Sequence, residues 1–213
     1  MGERYRGPMS TALKRPSYAD IEALPVWLTG EILAGELVVS PRPAKPHLRA
    51  SSRLGARLDP FDTEGDDGGP GGWLILDEPE LHLDVDPDFP VVIPDLAGWR
   101  TETLPETDDG EAAFSVRPDW ICEILSPSTT VWDRVHKMPF YARAGVGHAW
   151  LLDPVLRTLE VYRNVEGHWL AVGAWSGDAA VRAEPFDALE LPLKALWLTP
   201  RTGAPAKTTD AKS

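Results

Sequence analysis

The sequence predicts a mixed α/β or α+β fold, in which helices pack on a sheet of short strands. Short apolar runs bounded by glycine and proline recur along the chain, and such runs are typical of strands. The predicted elements follow the order helix, strand, strand, strand, helix, strand, with a hairpin before them and a β extension after them. This order favours one sheet that is covered by helices.

Length and composition are those of a globular protein. The chain has 213 residues, of which 43% are hydrophobic and 25% charged, so one domain over residues 16–199 is expected. No apolar run approaches the ~20 residues that span a bilayer, and the N-terminus lacks the apolar segment of a secretory signal. We therefore expect no membrane association. The single cysteine, Cys122, indicates a reducing cytoplasm.

The net charge of −12 opposes non-specific binding to a nucleic-acid backbone, which depends on lysine and arginine. Much of the negative charge lies in two predicted loops, residues 62–67 and 102–111. Acidic loops can stay clear of a smaller basic cleft, so the charge does not exclude DNA as a partner.

The N-terminal segment predicts an arm, a short helix and a hairpin. Residues 1–15 are basic without apolar periodicity, which indicates a flexible arm. Residues 17–20 fit a capping box that begins a helix ending near residue 24. Within residues 27–40, Ala34-Gly35 separates two strand-like runs and predicts the turn of a hairpin.

A helix is predicted to begin at His47. Arg49, Arg53 and Arg57 recur every four residues on one of its faces. We interpret this row as a solvated face, with a phosphate-facing stripe as the alternative. A Gly- and Asp-rich loop follows over residues 59–72.

The remaining elements are mostly strands. A helix is expected between residues 131 and 144, with a break near Pro139, and residues 200–213 form a predicted disordered tail. Strands are predicted at residues 73–76, 80–85, 91–97, 120–125, 149–152, 158–163 and 168–173, with a final short strand and helical turn within 186–198.

Two of these strands carry one carboxylate each. Glu123 interrupts the apolar run Trp120–Leu125, and Asp95 follows the apolar residues that begin at Val91. A buried carboxylate is costly unless it is paired or holds a metal. Two strands with one carboxylate each could form a divalent-cation site, although each residue could also be an ordinary solvated strand end. For Cys122, next to Glu123, we favour core packing over thiol chemistry.

Several motifs together resemble the Uma-two family, whose members are restriction-endonuclease-like proteins of the PD-(D/E)xK nuclease superfamily. The resemblance covers roughly residues 17–198, and its most specific parts are Glu-Ile-Leu-Ser-Pro-Ser and Ala-Gly-Val…Asp-Pro. The matching residues are Glu31-Ile-Leu-Ala-Gly-Glu-Leu, His47, Pro94-Asp95, Pro118-Asp-Trp-Ile-Cys-Glu-Ile-Leu-Ser-Pro-Ser, Lys137 and Tyr141-Ala-Arg-Ala-Gly-Val…Trp-Leu-Leu-Asp-Pro.

The resemblance implies a restriction-endonuclease-like core and a divalent cation, Mg²⁺ or Mn²⁺, held by Asp95 and Glu123. The lysine of the superfamily pattern should lie two residues after Glu123, where this chain has Leu125. Lys137, on the following helix, is the nearest substitute.

Glu31, His47 and Lys137 can each be interpreted as a functional residue or as a residue with an ordinary structural role. The resemblance implies that Glu31 could complete the metal shell and that His47 could contact phosphate. The alternatives are that Glu31 is a surface charge of the hairpin and that His47 is only the residue at which the helix begins. Lys137 could instead form an ion pair with Asp133, four residues earlier.

Asp119 competes with Asp95 as the first carboxylate, because it also follows a proline. On a strand, Asp119 and Glu123 would point to the same face. They would be ~13 Å apart at the rise of a strand, however, so Asp95 is preferred.

The leading hypothesis is a Mg²⁺-dependent DNA endonuclease in which Asp95, Glu123 and Lys137 are catalytic. The alternative is a weakly active or inactive module on the same fold that binds nucleic acid or protein; Leu125 and the net charge favour it. A hydrolase of another phosphoester is a third possibility. Fold-level analogy with nucleases that cut both strands also makes a homodimer an expectation.

Overall fold

The structure is a computed structural model that describes residues 14–40, 42–62, 69–104 and 113–199. Most of the predicted arm, the predicted tail and the larger part of the two acidic loops lie outside these residues. At the end of the arm, Arg15 forms an ion pair with Asp88, with an N···O distance of 2.6 Å. The domain limits, the homodimer and the cytoplasmic location stay predictions.

The described residues form helices and strands in the predicted order. Two short 3₁₀ turns, Asp59–Phe61 and Leu193–Ala195, accompany them. The helices are α1 (Tyr18–Glu22), α2 (Lys45–Leu58), a π-helix (Trp132–Lys137) and α3 (Met138–Arg143). The strands are β1 (Thr29–Leu33), β2 (Glu36–Ser40), β3 (Trp73–Asp77), β4 (Glu80–Leu81), β5 (Leu96–Arg100), β6 (Ala113–Phe114), β7 (Trp120–Ile124), β8 (His148–Asp153), β9 (Thr158–Val165), β10 (His168–Ser176), β11 (Ala180–Val181) and β12 (Leu191–Pro192).

Six strands form the main sheet in the order β10-β9-β8-β7-β5-β3. Only β7 and β8 are parallel in this sheet, and the π-helix and α3 make the crossover that a parallel pair requires. The core therefore runs α2, β3, β5, β7, helix, β8, which is the predicted helix-strand-strand-strand-helix-strand order. The predicted fold class is confirmed.

The sheet is buried on both faces, because its central strands alternate between two apolar cores. One core contains the buried face of α2, formed by Ala50, Leu54 and Leu58 at a spacing of four residues. The C-terminal residues between 181 and 197 complete that core. The other core packs α3 and the N-terminal hairpin on the opposite face. Cys122 is fully buried in the first core, as favoured above.

The predicted N-terminal hairpin is confirmed, and it is attached to the rest of the fold. Ala34 and Gly35 both have positive φ, 51° and 76°, as the tight turn of a hairpin requires. Ile32 N–H donates to the carbonyl oxygen of Val91 over 3.0 Å, which joins β1 to the segment before β5. This attachment brings Glu31 next to the sheet.

Three sequence predictions are corrected. Residues 80–85 form only the two-residue strand β4. Val91 and Val92 make isolated bridges, and the strand begins at Leu96, so Asp95 precedes β5 instead of following a strand. Proline cannot donate a hydrogen bond to a sheet ladder, which accounts for the interruption at Pro94.

The third correction concerns the helix at 131–144. Pro139 lies in the first turn of α3, where a proline is tolerated, and the irregular part is the π-helix before it. The arginine row of α2 matches the solvated interpretation, since Arg49 and Arg57 are exposed and Arg53 is half-buried. Among the described residues, no helix combines the length and apolar composition that crossing a bilayer requires.

Candidate functional site

A cleft with a volume of 350 Å³ opens between the N-terminal hairpin and the segment that follows β7. Asp95 and Glu123 line it together with Glu31, His47 and Lys137, so the structure brings all five predicted site residues to one place. The hairpin supplies Glu31, the start of α2 supplies His47, the sheet supplies the two predicted metal ligands, and the π-helix supplies the lysine.

The register of the sheet brings Asp95 and Glu123 together. Leu96 pairs with Cys122 in the antiparallel ladder between β5 and β7. Extending this register by one residue places Asp95 opposite Glu123, and opposite residues of antiparallel strands share a face. Asp95 Oδ2 also accepts a hydrogen bond of 2.6 Å from Ile124 N–H. The separation of 28 positions between the two acids is thus spanned by one strand pairing.

Lys137 lies at the centre of the acidic groups. Its Nζ atom is 3.1 Å from Glu123 Oε1 and 3.0 Å from Glu31 Oε1, and it donates to the carbonyl oxygen of Ile93 over 2.7 Å. Burial acts to lower the pKa of Lys137, but the charges of Glu123 and Glu31 prevail and raise it. The lysine therefore stays an ammonium ion. Burial raises the pKa of Glu123 well above its usual value, while Lys137 acts to lower it.

Glu31 is buried and is not a surface charge of the hairpin, which corrects that alternative. Its Oε1 atom accepts a hydrogen bond of 2.7 Å from Ile93 N–H in addition to the contact with Lys137.

His47 contacts Asp95, with 3.0 Å between Nε2 and Oδ1. Burial disfavours the charged ring, but the hydrogen bond and charge of Asp95, with the charges of Glu78 and Asp133, raise the pKa of His47. The buried Nδ1 atom has no hydrogen-bond partner in the part of the chain that the structure describes. His47 thus orients Asp95 from the start of α2.

Sequence reasoning gave no role in the site to Tyr141, Asp133 and Glu78. Tyr141 is fully buried, and its hydroxyl donates to Glu123 Oε1 over 2.7 Å. Glu78 follows β3 with a left-handed φ of 48° and lines the cleft. Burial raises the pKa of Asp133 to about 6, although Lys137 and the hydroxyl of Thr129 act in the opposite direction.

The π-helix aligns three of these side chains. Asp133, Lys137 and Tyr141 are spaced by four residues, and two such steps in a regular α-helix rotate the third side chain by about 80°. Met138 N–H donates to Asp133 O, five residues back, and this bond defines a π turn. Because a π turn rotates the chain less per residue than an α turn, it compensates part of the rotation of about 80°. All three side chains are buried. The spacing of four was visible in the sequence, but the π turn was not.

Asp119 is not among the residues that line the cleft. Its Oδ2 atom accepts hydrogen bonds from Arg100 N–H, at 2.8 Å, and from the Thr103 hydroxyl, at 3.0 Å. Asp119 therefore stabilises the turn after β5, at the opposite end of β7 from Glu123.

A family model described as "Uma2: Putative restriction endonuclease" matches residues 18–194, which is most of the chain. The chain belongs to the Uma2 family. This finding confirms the resemblance that the motifs around Glu31, Asp95 and Glu123 indicated. Among curated proteins, no match was found.

A solved structure supports the same assignment at the level of the fold. It is the crystal structure of a putative nuclease belonging to DUF820 from Anabaena variabilis ATCC 29413. The two chains are 24% identical and superpose with a TM-score of 0.64, covering 84% of this Uma2 chain and 96% of the other. At this identity, the likeness shows the fold alone.

The donor set of this Uma2 protein fits a small, hard cation. Within the described ranges, no group of three or more His, Cys, Asp or Glu side chains could hold a metal ion. Mg²⁺, however, usually binds to proteins through one or two carboxylates and keeps several of its waters. Asp95 and Glu123 match that need, and both protein contacts of Glu123 fall on Oε1. The pair is therefore a candidate ligand set for Mg²⁺ or Mn²⁺.

Proposed function

We propose that this protein is a metal-dependent endonuclease that hydrolyses phosphodiester bonds in DNA. One observation carries the proposal: Asp95, directly before β5, and Glu123, in the neighbouring strand β7, line one cleft, with the Lys137 ammonium 3.1 Å from Glu123. Membership of the Uma2 family and the nuclease-like fold support it.

Asp95 and Glu123 would hold the cation, Mg²⁺ or Mn²⁺. When bound, a divalent cation supplies positive charge against the phosphate and makes water more acidic. The cleft needs that charge, because the carboxylates that line it outnumber its basic groups. Its acids are Glu31, Glu78, Asp95, Glu123 and Asp133, and its basic side chains are Arg42, His47 and Lys137. An anionic substrate is repelled until a cation changes this balance.

The other side chains position these groups. Lys137 holds its proton and can donate it as a hydrogen bond to a phosphate oxygen or to the attacking water, provided that it exchanges one of its protein contacts. His47 and the Ile124 amide each bind one oxygen of Asp95 and thereby fix the orientation of the carboxylate. Glu31 balances the charge of Lys137 and holds it beside Glu123.

A cleavage assay with purified protein tests the proposal. Supercoiled plasmid, linear duplex and single-stranded DNA are incubated with Mg²⁺, with Mn²⁺ and with EDTA. We expect cleavage of at least one form that depends on the metal and is lost in Asp95→Ala. The matched control is Asp119→Ala, which removes the carboxylate that competed with Asp95 in the sequence and that also follows a proline directly before a strand. Absence of metal-dependent cleavage of every form, or equal cleavage by Asp95→Ala, would refute the proposal.

The second candidate function is a binding module with little or no turnover. Two observations favour it: Leu125 is buried where the superfamily pattern has lysine, and Lys137 makes three contacts with protein acceptors. If the protein is a binding module, the Glu123→Gln variant should still bind DNA or protein. If the protein is a nuclease, the same variant should lose its cleavage activity.

A further inference from the structure

One wall of the cleft carries an exposed tryptophan. Trp27 lies in a turn closed by the hydrogen bond from Leu28 N–H to Pro25 O, directly before β1. It lines the cleft, and yet 65% of its surface is exposed. Tryptophan has the largest apolar surface of any side chain, and an open indole face beside a polar cleft is a typical platform for a planar ligand.

The cleft lining includes a second aromatic group and several hydroxyls. Trp132 begins the π-helix, lines the cleft and packs on His136, with 4.7 Å between the ring centroids. Ser126 and Thr129 lie near it, and their hydroxyl oxygens are 3.0 Å apart. The cleft is therefore lined by two tryptophans and by hydroxyl groups that can form hydrogen bonds.

The floor of the cleft lies deep. Glu123 is 1% exposed and Lys137 is 3% exposed, so a phosphate reaches them only if its strand enters the cleft. The cleft volume of 350 Å³ lies at the small end of the roughly 300–1,000 Å³ range of ligand pockets. An unpaired nucleotide can enter such a narrow cleft more easily than a base that is still joined to its partner in a duplex.

Charge supports the same conclusion. Binding of duplex DNA relies on many lysine and arginine contacts with phosphates, and this chain has a net charge of −12. Single-strand binding gains part of its affinity from stacking of bases on aromatic side chains, a contribution that does not come from lysine or arginine.

We propose that the cleft binds single-stranded DNA, with one unpaired base stacked on Trp27 while the adjacent phosphate reaches Asp95 and Glu123. This inference rests on the proposed nuclease function and specifies its substrate. The preferred substrates are single strands, flaps and duplexes with unpaired segments.

The test compares a labelled single-stranded oligonucleotide with the duplex of the same sequence. Cleavage is measured as kcat/KM in Mg²⁺ or Mn²⁺, and binding is measured by fluorescence anisotropy in Ca²⁺. We expect at least a tenfold preference for the single strand. Trp27→Ala should weaken single-strand binding by roughly 5- to 100-fold, which is the loss that follows removal of one base–aromatic stack.

Two control variants isolate the stacking. Trp27→Phe keeps an aromatic face and should recover most of the affinity. Val26→Ala changes the neighbouring side chain, which is 99% exposed, and should leave binding and cleavage unchanged. Thermal unfolding checks that each variant is folded.

The outcomes separate the two proposals. Equal or better cleavage of the duplex, or full single-strand affinity in Trp27→Ala, would overturn the single-strand inference and leave the nuclease proposal intact. Failure to bind and cleave either form would overturn both.

Discussion

The dipeptide Pro-Asp occurs directly before two neighbouring strands, and the two copies do different things. Pro94-Asp95 precedes β5 and lines the cleft, where Asp95 contacts His47. Pro118-Asp119 precedes β7, and Asp119 binds the backbone N–H of Arg100 and the hydroxyl of Thr103. The same local sequence thus produces one candidate metal ligand and one turn-stabilising residue.

Antiparallel pairing explains the difference. Since β5 and β7 run in opposite directions, the residue before β5 lies beside the end of β7, and the residue before β7 lies beside the end of β5. Glu123 is near the end of β7, so only Asp95 can approach it. The chemistry of a Pro-Asp pair therefore depends on which end of the sheet it occupies.

The largest expected effect comes from replacing each aspartate in turn. Asp95→Asn should reduce Mg²⁺-dependent cleavage by about 10³-fold and weaken Mn²⁺ binding by about 100-fold, because a ligand charge is lost. Asp119→Asn should cost about 1 kcal/mol of stability, through a weakened turn, and leave kcat unchanged. Cleavage kinetics, Mn²⁺ titration and denaturant unfolding measure these effects. Greater loss of metal binding in Asp119→Asn would reverse the assignment.

Lys137→Met tests the charge balance of the cleft. Glu31 and Glu123 would stay buried without their shared cation, so the variant should lose about 3–5 kcal/mol of stability and about 100-fold in cleavage rate. Mn²⁺ should raise the Tm of this variant more than that of the parent, because the metal replaces the lost charge. Lys194→Met, a change outside the cleft, is the control. An unchanged response of the Tm to Mn²⁺ would count against a cation site beside Lys137.

Asp133→Asn tests the cost of crowding carboxylates on the cleft side of the sheet. Burial raises the pKa of Asp133 from 3.8 to about 6, so the folded state holds this proton more tightly than the unfolded state. The contribution of Asp133 to the stability of the folded state is therefore most favourable below about pH 4, and it is lost as the pH rises through 6. The Asn variant should be more stable at pH 7 by roughly 1–3 kcal/mol and nearly unchanged at pH 4. Urea unfolding at both pH values measures the difference, and a variant less stable at pH 7 would contradict this account.

The smallest effect is expected from one hydroxyl. Tyr141→Phe removes the hydrogen bond to Glu123. It should lower the cleavage rate by about tenfold and the free energy of unfolding by roughly 1–2 kcal/mol. The matched control is Tyr162→Phe, which removes a tyrosine–glutamate hydrogen bond to Glu160 on β9. Equal activity in the two variants would show that Tyr141 does not position Glu123.

Local sequence was enough to predict the hairpin and the core order, and to single out Glu123 as a carboxylate in a buried strand. A carboxylate within an apolar strand is visible by itself, and a turn at Ala34-Gly35 depends on backbone preferences of those residues alone. Asp95 was selected because it follows an apolar run and matches a family motif, but its place relative to the strand was predicted wrongly. Pro94, which interrupts the ladder, was visible in the sequence, but the start of β5 at Leu96 depends on pairing with β3 and β7, which neighbouring residues do not report.

The sequence by itself indicated a carboxylate inside an apolar strand, Glu123, and a second one after an apolar run, Asp95, and it has leucine at residue 125. Only the tertiary structure decided that Asp95 and not Asp119 lies on the side of Glu123, and that Lys137 and Tyr141 both contact Glu123 Oε1. Composition and periodicity act over a few residues, whereas strand register and the π turn result from packing across the whole sheet.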